Sequence, residues 1–95
     1  MANTIDTAAV SWTDNQGVHL RVYQSDGYNV TERCYDEGAW TTGSFAQQGD
    51  GISATTWQQN GGPSIRVYCT FEDNTVEWCW DTGGGGWYKG AYTQG

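Results

Sequence analysis

β-Branched and aromatic residues fall in short runs along the chain, and each run is closed by a cluster of Gly, Asn, Asp or Ser. Such runs read as strands and the clusters as turns. Four strands are expected at Ala8–Thr13, Val18–Gln24, Asn29–Asp36 and Trp40–Ala46, divided by Asp14-Asn15-Gln16-Gly17, Ser25-Asp26-Gly27 and Glu37-Gly38. Four more are expected at Ile52–Gln58, Ser64–Thr70, Thr75–Asp81 and Trp87–Thr93. Asn60-Gly61-Gly62-Pro63, Glu72-Asp73-Asn74 and the Gly83–Gly86 run divide these, and Gln47-Gln48-Gly49-Asp50-Gly51 joins the two sets.

The two sets are copies. Trp12, Arg21, Tyr23, Glu32, Cys34 and Asp36 return forty-five residues later as Trp57, Arg66, Tyr68, Glu77, Cys79 and Asp81. Two extra residues in the Gly83–Gly86 run then shift the offset, and Trp40, Gly43 and Phe45 match Trp87, Gly90 and Tyr92. A four-stranded unit of this length has the period of a propeller blade. The chain therefore reads as all-β, a single domain over residues 1–95 made of two tandem blades, about 8–46 and 52–93. Two blades cannot close a ring, and their open faces leave aromatics and strand edges uncovered. Closure predicts head-to-tail cyclic association, with four blades in a dimer or six in a trimer. The alternative is a monomeric eight-stranded sandwich.

Composition narrows the reading. Leu, Ile, Val and Phe total twelve of 95 residues, and the net charge is -7, which together resemble a disordered chain. Fourteen aromatics, six of them Trp, argue for a folded one instead, because each ring buries roughly 150–250 Å². The scarcity of Leu and Lys and the fourteen Gly exclude a helical bundle. Eleven acids against four bases repel nucleic acid and anionic lipid, and no stretch has the length and apolarity of a membrane helix. The start, Met1 to Asp6, lacks the basic and apolar regions of a signal peptide, so no classical secretion leader is expected within this chain and the compartment stays unassigned. Cys34, Cys69 and Cys79 are an odd set without C-x-x-C spacing. They read as buried thiols rather than as disulfides or as zinc ligands with His19.

The segments Ile65-Arg66-Val67-Tyr68, Thr31-Glu32-Arg33-Cys34-Tyr35-Asp36, Glu77-Trp78-Cys79-Trp80-Asp81 and Gly86-Trp87-Tyr88-Lys89-Gly90-Ala91-Tyr92 carry a likeness to a known family. From about Ala8 to Thr93 the chain resembles the fucose-binding six-bladed β-propeller lectins of fungi and bacteria, and among them the short bacterial members with two repeats that assemble as trimers. The resemblance implies a multivalent homotrimer that binds L-fucose and fucosylated glycans, without catalysis and without a metal or other cofactor. It places pockets between neighbouring blades. One, within a chain, would use Arg21, Glu32 and Ser44 with Trp80 and Trp87. The other, between chains, would use Arg66, Glu77 and Ala91 with Tyr35 and Trp40 of a neighbour. Ser44 stands where the family usually has Ala, and Tyr35 where Trp is common. The chemistry agrees, since Arg offers a rigid donor fork, Glu accepts from adjacent hydroxyls, and Trp packs on the C–H face of a sugar ring.

Other readings weigh less. Glu32 and Glu77 as glycosidase carboxylates would lie in separate pockets, each beside an Arg that favours the charged form and spoils a general acid. Asp81-Thr82-Gly83 is an aspartic-protease triplet by letters, but the first repeat has Asp36-Glu37-Gly38 there, so it reads as a turn. A structural or protein-binding propeller without a sugar pocket is the main alternative. In that case Arg21–Glu32 and Arg66–Glu77 would be plain cross-strand ion pairs. Trp12 and Trp57 are expected as blade-packing core, and the Asn29-Val30-Thr31 sequon as idle.

Overall fold

The computed structural model describes residues 5–95, so the reading of Met1 to Thr4 as part of a leaderless start lies outside the described residues. Strands β1 (Ile5–Asp14), β2 (Gly17–Asp26), β3 (Asn29–Asp36) and β4 (Ala39–Gln48) form one antiparallel meander. Strands β5 (Asp50–Gln59), β6 (Gly62–Phe71), β7 (Asn74–Asp81) and β8 (Tyr88–Lys89) form a second. The expected strands and turns are present in order, with β1, β2, β4, β5 and β6 longer by a few residues at their ends.

The period of two assigns the faces. On β2 and β3 the side chains of His19, Arg21, Tyr23 and Ser25 share a face with Val30, Glu32, Cys34 and Asp36, because Arg21 pairs with Cys34 and Tyr23 with Glu32. That face is turned toward the second sheet. The second sheet meets it with Ile65, Val67, Trp78 and Trp80, the face opposite to the one bearing Arg66, Tyr68, Glu77 and Cys79. Equivalent faces therefore do not oppose one another, as they would in a symmetric sandwich. The front of one sheet lies on the back of the next, which is blade-on-blade stacking. Tyr23, Phe45, Ile65 and Val67 are fully buried at this seam. Near the sheets' first strands, the Ile52 amide donates to Asp6 Oδ2 at 2.8 Å and ties β5 to β1.

Strand β8 is shorter than the expected Trp87–Thr93, and the cause is visible in both blades. In the first, β3 and β4 slip register between Thr31 and Arg33, so Glu32 faces a bulge at Gly43, Ser44 and Phe45. The Glu32 carboxylate fills the bulge, with Oε1 accepting from the Phe45 amide at 3.3 Å. In the second blade Gly90 N–H donates to the Glu77 carbonyl at 2.8 Å, and Tyr92 N–H donates to the Glu77 carboxylate at 3.1 Å. The first ladder resumes at Thr31 and Ala46, but the second gives way to a bond from the Thr75 amide to the Gln94 side chain at 2.6 Å. A Cβ on Gly43 or Gly90 would sit 2.0 Å from the facing Glu Oε1, so only Gly admits the carboxylate.

Gly43→Ala should expel the buried Glu32 carboxylate and cost about 1–3 kcal/mol in denaturant unfolding, the range for stranding a buried polar partner. Gly90→Ala should cost less, because Glu77 is only half-buried. A different gain is available at the β6–β7 hairpin. Glu72 and Asp73 both hold positive φ, 51° and 64°, which suits Asn-Gly far better than two side chains with ordinary Cβ penalties. Replacing them with Asn-Gly should stabilise by about 1 kcal/mol and raise Tm by several degrees at fixed protein concentration.

Candidate functional site

At the seam between the sheets lies a pocket of about 130 Å³ lined by Arg21, Glu32, Cys34, Gly43, Ser44, Ile65, Trp80 and Trp87. The first sheet supplies its polar side from β2, β3 and β4. The second supplies its apolar side from β6, β7 and the segment leading into β8. All five residues expected for a pocket within one chain, Arg21, Glu32, Ser44, Trp80 and Trp87, therefore line the same cavity.

Local chemistry fixes each polar group. Glu32 is buried, at 4% exposure, which is costly for a carboxylate unless it is bonded. Its Oε2 accepts from the Tyr23 hydroxyl at 2.8 Å and its Oε1 from the Phe45 amide. Burial and the neighbouring Glu32 charge push the Tyr23 phenol well above its ordinary range, so it stays a donor. Arg21 lies over the Trp12 ring, 4.8 Å from the centroid. Its Nη1 donates to the Leu20 carbonyl at 2.8 Å and to Asp36 Oδ1 at 3.0 Å. Both bonds leave from Nη1, and the guanidinium lines the pocket.

The cross-strand ion pairs Arg21–Glu32 and Arg66–Glu77 are not formed. Arg21 pairs with Asp36 and Arg66 with Asp81, each at 3.0 Å. The register explains the choice. Cys34 lies opposite Arg21, with Glu32 and Asp36 two residues to either side; Tyr23 and the bulge occupy Glu32, and Asp36 is left for the guanidinium. Trp12 and Trp57 likewise act as more than core filling, since each is a platform for its Arg, and Trp57 is 40% exposed.

The second blade repeats the polar half. Arg66 lies 4.8 Å over Trp57, and the Tyr68 hydroxyl donates to Glu77 Oε2 at 2.7 Å. That bond is the main cause that pushes the Tyr68 phenol up to about 12. Ala91 is exposed on the same stretch. Tyr35 and Trp40 pack on each other at 5.2 Å across the β3–β4 hairpin. They sit on the back of the first blade, and the single chain does not bring them to Arg66 and Glu77. Cys34, Cys69 and Cys79 are free and buried, and among the described residues no three His, Cys, Asp or Glu side chains are placed to share a metal.

Sequence reasoning missed the supporting set of Asp36, Asp81, Gly43, Gly90, Tyr23 and Tyr68 as site residues. All six recur in the repeat, so the repeat itself was the available signal.

Among solved structures the chain is similar to a mutant of the Aleuria aurantia lectin in complex with alpha-methyl-L-fucoside, with 32% identity and a TM-score of 0.72. The match covers 95% of this chain and 32% of that one, so the chain spans about a third of the length of the lectin it matches. The two sheets are thus blades of a β-propeller lectin fold. Comparison with curated proteins finds no significant match. The sequence model of the fungal fucose-specific lectins covers residues 2–95, and with nearly the whole chain matched, this protein belongs to that family, one of sugar-binding proteins and not of enzymes.

Proposed function

We propose that the chain is a multivalent lectin for L-fucose and fucosylated glycans, acting as a ring of three copies. The observation that carries the reading is the seam pocket, in which Arg21, Glu32 and Ser44 of one blade face Trp80 and Trp87 of the next. A deoxy sugar presents adjacent hydroxyls on one side and C–H groups on the other. Arg21 donates to the hydroxyls, Glu32 accepts from them, and the indoles cover the apolar face. About 130 Å³ is close to the roughly 150 Å³ that accommodates a six-membered ring in an apolar cavity. That is the scale of one sugar ring, whose substituents would reach toward solvent.

The trimer reading is supported by the faces left uncovered. Within the chain, Trp87 packs on Tyr23 at 6.0 Å and on Phe45 at 4.7 Å. The repeat equivalents are Trp40 on the back of the first blade, and Tyr68 with Tyr92 on the front of the second. Trp40 and Tyr92 are each 47% exposed. A second copy docked head to tail would repeat the same ring contact. It would also complete the second pocket, with Arg66, Glu77 and Ala91 facing Tyr35 and Trp40 of the neighbour. Three copies match the span of the single longer lectin chain, of which this chain covers 32%.

Sedimentation at micromolar concentration should give a trimer, and a stable monomer would sink the ring. L-Fucose should shift Trp emission, and the shift should survive EDTA, because the pocket groups are donors, acceptors and rings. Arg21→Ala should empty only the pockets within chains and Arg66→Ala only those between chains, each at a cost of about 1.5–3 kcal/mol to its own site. Calorimetry on the trimeric variants counts the remaining sites. Two full-strength sites per chain in Arg21→Ala would reduce Arg21 to a surface residue. Each pocket alone should bind modestly, and simultaneous engagement of a fucosylated surface should raise apparent affinity by about 10²–10⁴.

A further inference from the structure

The two pockets share Arg, Glu and Tyr, but they differ behind the Arg. In the first blade His19 is buried, stacked on Trp12 at 5.1 Å, with Nδ1 2.5 Å from Asp36 Oδ1 and Nε2 2.9 Å from Asp14 Oδ1. Asp36 Oδ1 is the same atom that accepts from Arg21 Nη1. The chain Asp14–His19–Asp36–Arg21 thus runs from the β1–β2 turn into the pocket. Forty-five residues later, Gln59 and Ser64 stand where Asp14 and His19 stand. In the second blade Asp81 accepts from Arg66, Ser64 and the Tyr88 hydroxyl, none of which changes charge near neutrality.

We propose that His19 and Asp36 form a positioning relay for the Arg21 guanidinium, so that the pocket within the chain responds to protonation of His19 while the pocket built on Arg66 does not. The proposal rests on the reading of Arg21 as a sugar donor.

An imidazolium donates from both ring nitrogens and satisfies Asp14 and Asp36 together. A neutral imidazole donates to one carboxylate only, and the other then faces a lone pair. Deprotonation also takes the group Asp14, Asp36, His19 and Arg21 from net neutral to net negative. Asp36 then draws more heavily on the Arg21 charge, and the fork becomes a poorer donor to sugar. The bond to Asp36, then the bond to Asp14, raise the His19 pKa above the ordinary histidine value and outweigh burial. Burial acts to raise the Asp36 carboxyl, but the bonds from His19 and Arg21 prevail and hold it below its usual range. The groups facing the relay are Asp14 from β1, Arg21 from β2 and Asp36, Cys34 and Glu32 from β3, and the second sheet's side of the pocket, Ile65, Trp80 and Trp87, carries no charge. Burial pushes Cys34 up to about 11, outside the working window. In the second blade the Tyr88 bond chiefly holds Asp81 down at about 2.

A histidine raised on folding strengthens the folded state, and here the pocket, below its unfolded value, and the gain is lost as pH rises through its folded value. Fucose titrations of the intact protein at about pH 5.5 and about pH 9, on either side of the histidine range, should resolve two classes of site. The class that Arg21→Ala abolishes should weaken about threefold to tenfold at the higher pH, and the class that Arg66→Ala abolishes should stay constant. His19→Gln, which cannot take up a proton, should flatten the pH response and hold that class near its high-pH strength throughout. NMR of the sugar-free protein supplies the second readout, since His19 is the only histidine in the chain. The Arg21 Nε–H resonance should follow the His19 titration, and that of Arg66 should not. Equal pH response in both classes, or an Arg21 resonance indifferent to His19, would overturn the relay. No fucose binding at either pH, with Arg21 still tracking His19, would defeat the fucose reading and leave the relay standing.

Discussion

Phe45 meets Trp87 at 4.7 Å and Trp78 at 6.4 Å, edge to face in both cases, and Tyr23 closes on Trp87 at 6.0 Å. This aromatic seam holds one sheet on the next together with the few aliphatic side chains buried in the same cluster, Val10, Val30, Ile52, Ile65 and Val67. Large rings supply the buried area, and T-shaped contacts add to it beyond area alone. They also impose a condition. A buried Tyr must bond its hydroxyl, and Tyr23 does so by donating to Glu32. The core therefore brings a carboxylate with it to the edge of the seam, beside the indoles that the packing has already placed there.

The pocket is in this sense a continuation of the core. Glu32 is oriented by Tyr23, admitted by Gly43 and anchored by the Phe45 amide; each of these also belongs to the fold. Arg21 is clamped between the Trp12 ring and Asp36 before any ligand arrives. A donor fork held this way loses little freedom on binding, which is how a small contact area yields useful affinity. The same logic makes assembly and recognition one problem. The front of a blade carries Arg and Glu but no indole wall, so a pocket of the proposed kind forms only where another blade's back lies against it.

Much of this was legible in the chain. The forty-five-residue repeat, the strand order and the turns follow from repeat matching and residue chemistry, whereas the grouping of Arg21, Glu32, Ser44, Trp80 and Trp87 around one cavity came from the family resemblance. The parts that were not legible depend on register and on approach distance. Whether Arg21 pairs with Glu32 or Asp36 is undecided by spacing, because both lie two residues from Cys34 on one face. Only the prior claim of Tyr23 on Glu32 settles it. The early end of β8 depends on a carboxylate entering the ladder at Gly90, and a glycine in sequence does not say which neighbour needs the space.

Where the two blades have diverged is itself informative. The Arg and Glu that line the seam pocket in the first blade recur as Arg66 and Glu77 in the second, as do the Tyr and Gly that hold the Glu. The differences gather around the Asp behind the Arg: His19 against Ser64, Asp14 against Gln59, and Thr41 against Tyr88. On the proposed reading, a change at Arg or Glu would remove a ligand bond outright. A change behind Asp36 or Asp81 alters only how strongly the guanidinium is held and how much of its charge is shared, which shifts affinity without abolishing it. On the proposed reading, duplicated pockets could therefore drift apart in strength and in pH response while keeping the same ligand class, because the positions that differ lie behind the Arg–Asp bond.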